Sequence, residues 1–452
     1  MGETLHFYYI NDLHSHFEHW PRIQQFIRKR KAHHEDVNEE SIILDIGDNA
    51  DRFHPFTEAL LGKGNVQLLN ELGCDYATIG NNEGITFPFE ALDSLYDEAQ
   101  FEVLVANLFY SNGQRPNWAL PYSIHLTKQG TRIAFIGATA YFRLFYEKLG
   151  WRITEPYEEI SRIVNDMDGK CDGIVLLSHL GLEFDERVAV TIPEINMILG
   201  AHTHHILHNG KVVNDTLLCG AGKGGTYVGH AELYIDDLHQ FTSICTRLYD
   251  MNQQQSVELE TEYVRSLHEI GKEHMMTEIC RLQEPLEVDW FNDSPLVQLL
   301  CDSLRLWCEA DCAFVNAGLL IDGLDKGVVT AYDIHKICPH PINPCLIEVS
   351  GRELKEIVNQ SMDKQWPHMQ VKGFGFRGNI FGIIVYSNIK IVSKHEMYIG
   401  DELLQPEKIY KLALPDMFTF GYFFPSITRS DKKQYYLPEF LRDILTQRLL
   451  TY

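Results

Sequence analysis

Short β-branched runs in the first half of this chain break off abruptly into small clusters of Asp, Asn, His, Ser and Gly. The runs are Leu5–Ile10, Ile42–Ile46, Tyr76–Ile79, Val103–Val105, Ile133–Ile136, Ile174–Leu177 and Met197–Leu199. Amphipathic stretches with helical spacing, such as Arg22–Arg30, Val66–Leu72 and Ile160–Met167, lie between several of them. That alternation predicts an α/β fold. The clusters read Asn11-Asp12-Leu13-His14, Asp45-Ile46-Gly47-Asp48, Gly80-Asn81-Asn82-Glu83, Ser178-His179 and Gly200-Ala201-His202-Thr203-His204. Ligands in open α/β sheets bind beyond the carboxyl ends of strands, so five such ends can share one site.

At 452 residues the chain exceeds what one core normally organises, so two domains are expected. The first spans 1–250. A charged, helically spaced segment at 251–284 reads as a linker helix, and a smaller mixed unit fills 285–452. In that unit the pattern predicts helices at Leu296–Trp307 and Glu353–Met362. Its strands are expected at Ala313–Asn316, Leu346–Val349, Ile380–Val385 and Tyr410–Leu414.

Thirty-nine basic residues against 63 acidic ones leave a formal charge of -24, which repels a nucleic-acid polymer. The same field repels a small phosphorylated molecule, so a phosphate site here requires local positive charge, for which metal ions are the natural source. No apolar run reaches bilayer length and no signal-peptide pattern opens the chain, so a cytoplasmic protein without membrane contact is expected. The ten cysteines contain no C-x-x-C pair. Cys301, Cys308 and Cys312 read as reduced, buried thiols rather than a zinc site.

Together the clusters supply two carboxylates, one amide oxygen and four imidazoles: Asp12, Asp48, Asn81, His14, His179, His202 and His204. Mixed nitrogen and oxygen donors suit manganese, zinc or iron better than calcium or magnesium. Seven ligands are too many for one ion with an open position and fit two divalent ions that share a carboxylate. Any one cluster alone is ordinary; five at strand ends of one domain carry the argument.

The series D-x-H, G-D, G-N-x-E, S-H and G-x-H-x-H is similar to that of the calcineurin-like metallophosphatase superfamily. The whole chain resembles the two-domain 5'-nucleotidase family, in its intracellular bacterial form. The resemblance implies a four-layer αββα metallophosphatase domain followed by a smaller α/β C-terminal domain that binds substrate. It implies that Asp12, His14 and His204 hold one ion, that Asn81, His179 and His202 hold the other, and that Asp48 bridges them. The activity implied is hydrolysis of phosphate esters or anhydrides of a nucleotide-like small molecule by a metal-bound hydroxide. Two alternatives stand beside it: a degenerate member that binds a phosphorylated metabolite without turnover, and a nuclease, which the acidic charge disfavours.

The chain departs from the family in places. The family's G-N-H-E-F-D holds a His and an Asp that act as a dyad on phosphate and leaving oxygen. Here those positions hold Asn82 and Ile85. An amide can contact a phosphoryl oxygen but cannot deliver a proton, so the role left to Asn82 is phosphate contact, and leaving groups that need little protonation are favoured. In the second half, Asn316-Ala317-Gly318 followed by Ile321 resembles a segment where an Arg is expected, and Trp290 falls at another Arg position. Candidate substrate contacts are Asn316 and the aromatics Phe374 and Phe376 of a glycine-rich stretch, which reads equally well as a packed turn. Phe418, Phe420 and Tyr422 read as core. Gly220–Thr226 lacks P-loop spacing and reads as structural, and His33-His34 reads as a solvated helix face.

Overall fold

The computed structural model describes every residue except Met1, Lys372, Phe374, Tyr422 and Tyr452. It divides into two compact units, Met1–Gly271 and Lys272–Tyr452.

The first unit holds a seven-stranded and a six-stranded sheet. In the larger, β1 (Glu3–Ile10) runs parallel to β2 (Glu40–Asp45), which runs parallel to β3 (Tyr76–Ala77). The smaller sheet is centred on the parallel strands Arg132–Thr139, Gly173–His179 and Met197–Gly200. Every strand expected in this half lies in one of these sheets, though the third is shorter than read, with Thr78 and Ile79 outside it. The sequence reading missed the antiparallel hairpin Tyr227–Ile235 and Phe241–Asp250, whose outer strand alternates with polar residues because one face is wet.

Period-two alternation sends Leu5, Phe7 and Tyr9 of β1 inward, where they meet Phe135, Val175, Leu177 and Met197 of the other sheet. The opposite face of the six-stranded sheet packs on the helices Pro156–Asp166 and Leu182–Thr191 through Ile160, Ile163, Val188 and Ala189. Helix Trp20–Asp36 covers the outer face of β1 and β2, with Phe26 against Tyr8. Helix, sheet, sheet and helix are the expected four layers. Because the strands of each sheet's centre are parallel, their carboxyl ends share one rim.

His34 corrects the solvated-face reading of the His33-His34 pair: His33 is exposed, but His34 is buried on the inner side of its helix. Glu39 Oε2 accepts from His6 Nε2 at 2.9 Å and from His34 Nδ1 at 3.2 Å. Tyr8 then donates to His34 Nε2 at 2.8 Å, and His230 Nε2 to His6 Nδ1 at 3.0 Å. All three rings are neutral in this assignment, and His230 Nδ1 alone among their nitrogens keeps a bare lone pair. The His6 and His34 rings stack 3.7 Å apart, and all four of their nitrogens have hydrogen-bond partners. In this assignment the three histidines form a hydrogen-bond network.

Burial, with the neighbouring His6 adding to it, holds His34 below the ordinary histidine range and His230 down to about 3. The unfolded chain takes up these protons near pH 6.5, while the folded chain resists until lower pH, so the network's contribution is lost as pH falls from about 6.5. His230 alone contributes a slope of about 1.4 kcal/mol per pH unit in that window. Ion-free His230→Gln is expected to show a shallower fall in melting temperature between pH 6.5 and 5 than the native chain. Equal slopes would contradict this.

In the second unit a five-stranded sheet contains Cys312–Asn316, Pro344–Ser350, Ile384–Ser387, Ile409–Pro415 and Lys433–Tyr435. Two expectations need correction. The strand placed at Ile380–Val385 begins only at Ile384, because Gly382 turns with φ +74° and Phe381 is drawn to Met369 by a backbone hydrogen bond. Within the segment 251–284 only Glu260–His274 is α-helix; Glu278–Leu282 is a strand paired with Gly327–Thr330. Among the described residues no helix is long and apolar enough to cross a membrane.

Candidate metal centre

The site begins where β1 and β2 end. Their pairing continues past the strands: Asp12 N–H donates to Gly47 O at 3.0 Å, His14 to Asp48 O at 2.8 Å and Ser15 to Asn49 O at 2.9 Å. The two loops therefore run side by side, which sets Asp12 and His14 against Asp48. A buried chain of polar groups fixes the pair from behind. Asp45 takes Gly47 N–H and the Asn49 amide, Asn65 reaches Asn49, and Thr57 joins Asn65 to Ser15.

Five of the expected ligands adopt left-handed backbone: Asp12 (φ 48°), His14 (φ 50°), Asp48 (φ 50°), His202 (φ 72°) and His204 (φ 56°). Each such residue costs of order 1–2 kcal/mol, and strain of this kind persists where surrounding structure enforces it. At Gly80 a Cβ would run into the Asp48 carboxylate, so glycine is required for the third loop to approach.

The side chains converge. His14 Nε2 lies 3.8 Å from Asp12 and 3.6 Å from Asp48. His179 Nε2 lies 3.8 Å from Asp12 and 3.4 Å from Asp48, and His204 Nε2 is 3.4 Å from Asp12 and 3.2 Å from His14 Nε2. The His202 ring centroid is 5.4 Å from that of His179, and its backbone N–H donates to the Asp12 carboxylate at 3.1 Å. His179 Nδ1 donates to Ile46 O at 2.7 Å, which fixes the ring so that Nε2 faces inward.

Two observations fit these residues to cations. His179 Nε2 and Asn81 Oδ1 are buried polar atoms without a hydrogen-bond partner, an arrangement that costs free energy unless a further partner is bound. The electrostatics agree. Burial alone pushes His179 down, but Asp48 and Asp12 overcome it and raise the imidazole to about 10. Asp48 is held well below the ordinary carboxylate range, against burial, by His179 and His14. His202 drops to about 4 through burial and the charge of His179. Two carboxylates here demand positive charge, and without an ion a proton on His179 supplies it.

Sequence reasoning quoted Glu83 in its motif but gave it no role. Its carboxylate collects three backbone N–H groups, from Asp48 and Gly80 at 2.9 Å each and from Ala50 at 2.8 Å. Burial and the nearby Asp48 raise it to about 7 while those donors pull the other way. The available signal was its place three residues after the helix cap Gly80, the acidic position of a capping box. Glu83→Gln turns an NH2 toward one of these donors. It is expected to lose about 1–3 kcal/mol of stability and to lower kcat, read by denaturant unfolding and turnover. Unchanged values would show that the loop holds Asp48 without it. Asp51, also missed, lies 3.3 Å from His14 Nδ1.

Asn82 is buried, with its side-chain amide 2.8 Å from His14 Nδ1 and its backbone N–H on Asp48 Oδ1 at 2.7 Å. The glycine loop 220–226 braces the site, as read: Gly224 N–H donates to Asp12 O, and Asn11 clamps Ala221 and Gly222.

In the second unit, the Asn316 amide donates to Phe381 O at 2.9 Å while its Oδ1 is buried without a partner. Phe376 is buried against His340, with ring centroids 5.0 Å apart and planes 10° from parallel, so that face is already taken. Phe374 and Tyr422 lie outside the described residues. Phe418 is core, packed on Phe314 and Phe424, and Phe420 stacks on Tyr435. Trp290 donates to Leu320 O at 2.9 Å, beside the exposed Ile321.

Residues 5–205 match the calcineurin-like phosphoesterase family, and residues 276–421 match the 5'-nucleotidase C-terminal domain. The chain therefore belongs to the calcineurin-like phosphoesterases, in the two-domain form built with a 5'-nucleotidase C-terminal domain. It is 42% identical to the metallophosphoesterase YunD of Bacillus subtilis, over 99% of this chain and 100% of the relative. A snake venom 5'-nucleotidase from Gloydius brevicauda is 22% identical, over 87% of this chain and 74% of the relative. Among solved structures, a putative 5'-nucleotidase from Staphylococcus aureus, in complex with alpha-ketoglutarate, superposes with TM-score 0.72. That match covers 99% of this chain and 96% of the other at 16% identity, a likeness of fold. These relations support phosphoester hydrolysis as the general activity, with divalent metals as the family's cofactors.

Proposed function

We propose that the chain hydrolyses phosphate esters or anhydrides of nucleotide-like small molecules, with two divalent ions (manganese, zinc or iron) held by the first unit. The observation that carries this reading is the placement of Asp12 and Asp48 within 3.4–3.8 Å of inward-facing imidazole nitrogens, beside the partnerless Asn81 Oδ1 and His179 Nε2. In this reading Asp12, His14 and His204 would hold one ion, Asn81, His179 and His202 the other, and Asp48 would serve both.

Ions bound there would supply a nucleophilic water at neutral pH and positive charge against the phosphoryl oxygens. The protein's part is placement. The paired loops and Glu83 fix Asp48, Ile46 O orients His179, and buried Asp12 and Asp48 concentrate negative charge that recruits cations, the positive charge a phosphate needs in so acidic a molecule. Asn316, Phe374 and Phe376 are the proposed substrate contacts. All ten cysteines are free thiols, which fits the reducing cytoplasm we propose for it.

One observation favours a binder without turnover: neither Asn82 nor Ile85 can donate a proton to a leaving group. Protein stripped with chelator and reloaded with manganese separates the two, assayed on nucleotides, a nucleoside diphosphate, p-nitrophenyl phosphate and single-stranded DNA. Manganese-dependent phosphate release from the small molecules is expected. Metal uptake without release from any of them would establish the binder, and cleavage of DNA alone would establish a nuclease.

A further inference from the structure

We infer that Asn82 is a positioning residue for His14 and not a contact for the phosphoryl group; the inference rests on the two-ion reading above. Its side chain is buried and its amide lies 2.8 Å from His14 Nδ1, on the ring edge opposite the nitrogen that faces Asp12, Asp48 and His204. Asp51 Oδ2 approaches the same Nδ1 at 3.3 Å. The backbone of Asn82 is committed as well, with its N–H on Asp48 Oδ1. Residue 82 therefore touches a ligand of the first ion through its side chain and the shared carboxylate through its main chain.

The chemistry of imidazole gives this contact its purpose. His14 can offer an Nε2 lone pair only when its proton sits on Nδ1, and that proton then needs an acceptor. A primary amide can share that role with Asp51, since a half-turn of its terminal group brings Oδ1 in place of Nδ2 toward Nδ1 with almost no change of shape. An alkyl side chain cannot. The residue that stands where the family has its proton donor thus lies behind a metal ligand.

The test measures Mn(II) affinity by chelator competition, alongside KM for p-nitrophenyl phosphate at saturating Mn(II). Asn82→Ala is expected to weaken one of two manganese equivalents by roughly 10–100-fold, the usual cost of losing a partner behind a ligand, with KM unchanged. Asn82→Asp, whose carboxylate also accepts from Nδ1–H, is expected to bind manganese about as the native chain does, again with native KM. Native manganese affinity in Asn82→Ala would overturn the inference, as would a raised KM in Asn82→Asp, the result expected if residue 82 faced phosphate. Should Asn82→Ala fail to fold, Asn82→Asp decides alone. If the native chain binds fewer than two manganese ions, the two-ion reading itself fails, which is a separate result.

Discussion

Asp48→Asn is expected to lower phosphoester turnover by roughly 10³-fold or more, the equivalent of about 4 kcal/mol of transition-state stabilisation. The substitution preserves shape and removes charge. Asp48 Oδ1 would still receive the Asn82 N–H, so the loop should keep its course. What disappears is the negative oxygen 3.4 Å from His179 and 3.6 Å from His14, the carboxylate proposed to be shared by both ions. Removing an ordinary outer ligand such as His204, whose side chain is a third exposed, leaves the other site intact. Removing the shared one weakens both. Manganese titration and kcat on one preparation check this, and the loss of turnover should accompany loss of bound manganese. An Asp48→Asn enzyme with native kcat would show that the carboxylate is a structural acid.

The second large effect concerns what leaves the phosphorus. General acid catalysis is typically worth about 10²–10⁴ in rate, and the positions that supply it in the family hold Asn82 and Ile85. The Asn82 amide has no proton to deliver and is engaged on His14. Leaving groups that are stable as anions, such as the phosphate of an anhydride or a nitrophenolate, need no proton and should be turned over at full rate. An alkyl monoester such as a nucleoside 5'-monophosphate should lag by about 10²–10⁴. A series of aryl phosphates of graded leaving-group acidity reads this directly, and log kcat is expected to fall steeply as the leaving group becomes more basic. A flat series would mean that some other side chain delivers the proton.

Much of the first unit was legible because parallel strands buried on both faces are written as apolar runs, and their ends are marked by an abrupt change to Asp, Asn and His. Asp12, His14, Asp48, His179 and His204 lie near one another at those strand ends. Glu83 and Asp51 were not found, since their roles are set by which backbone and ring atoms they reach across loops far apart in sequence. His34 was misread because a His-His pair at a helix end looks the same whether its second ring faces solvent or Tyr8 and Glu39. The hairpin at 227–250 was hidden by polar residues on its wet face. In the second unit the strand at Ile384–Ser387 was drawn too early, as the apolar run 380–383 is held as a loop by Gly382 and the Phe381–Met369 hydrogen bond. The role of Asn82 was beyond the sequence for a similar reason: a motif position names a residue type, whereas its contact depends on where His14 turns its Nδ1.

The central claim, that two cations share one pocket, is tested most directly by anomalous diffraction at the manganese edge from crystals grown with Mn(II). Two peaks per chain are expected, one against His14 and His204, the other against Asn81, His179 and His202, with Asp48 touching both. A single peak, or peaks from which Asp48 stands apart, would contradict it.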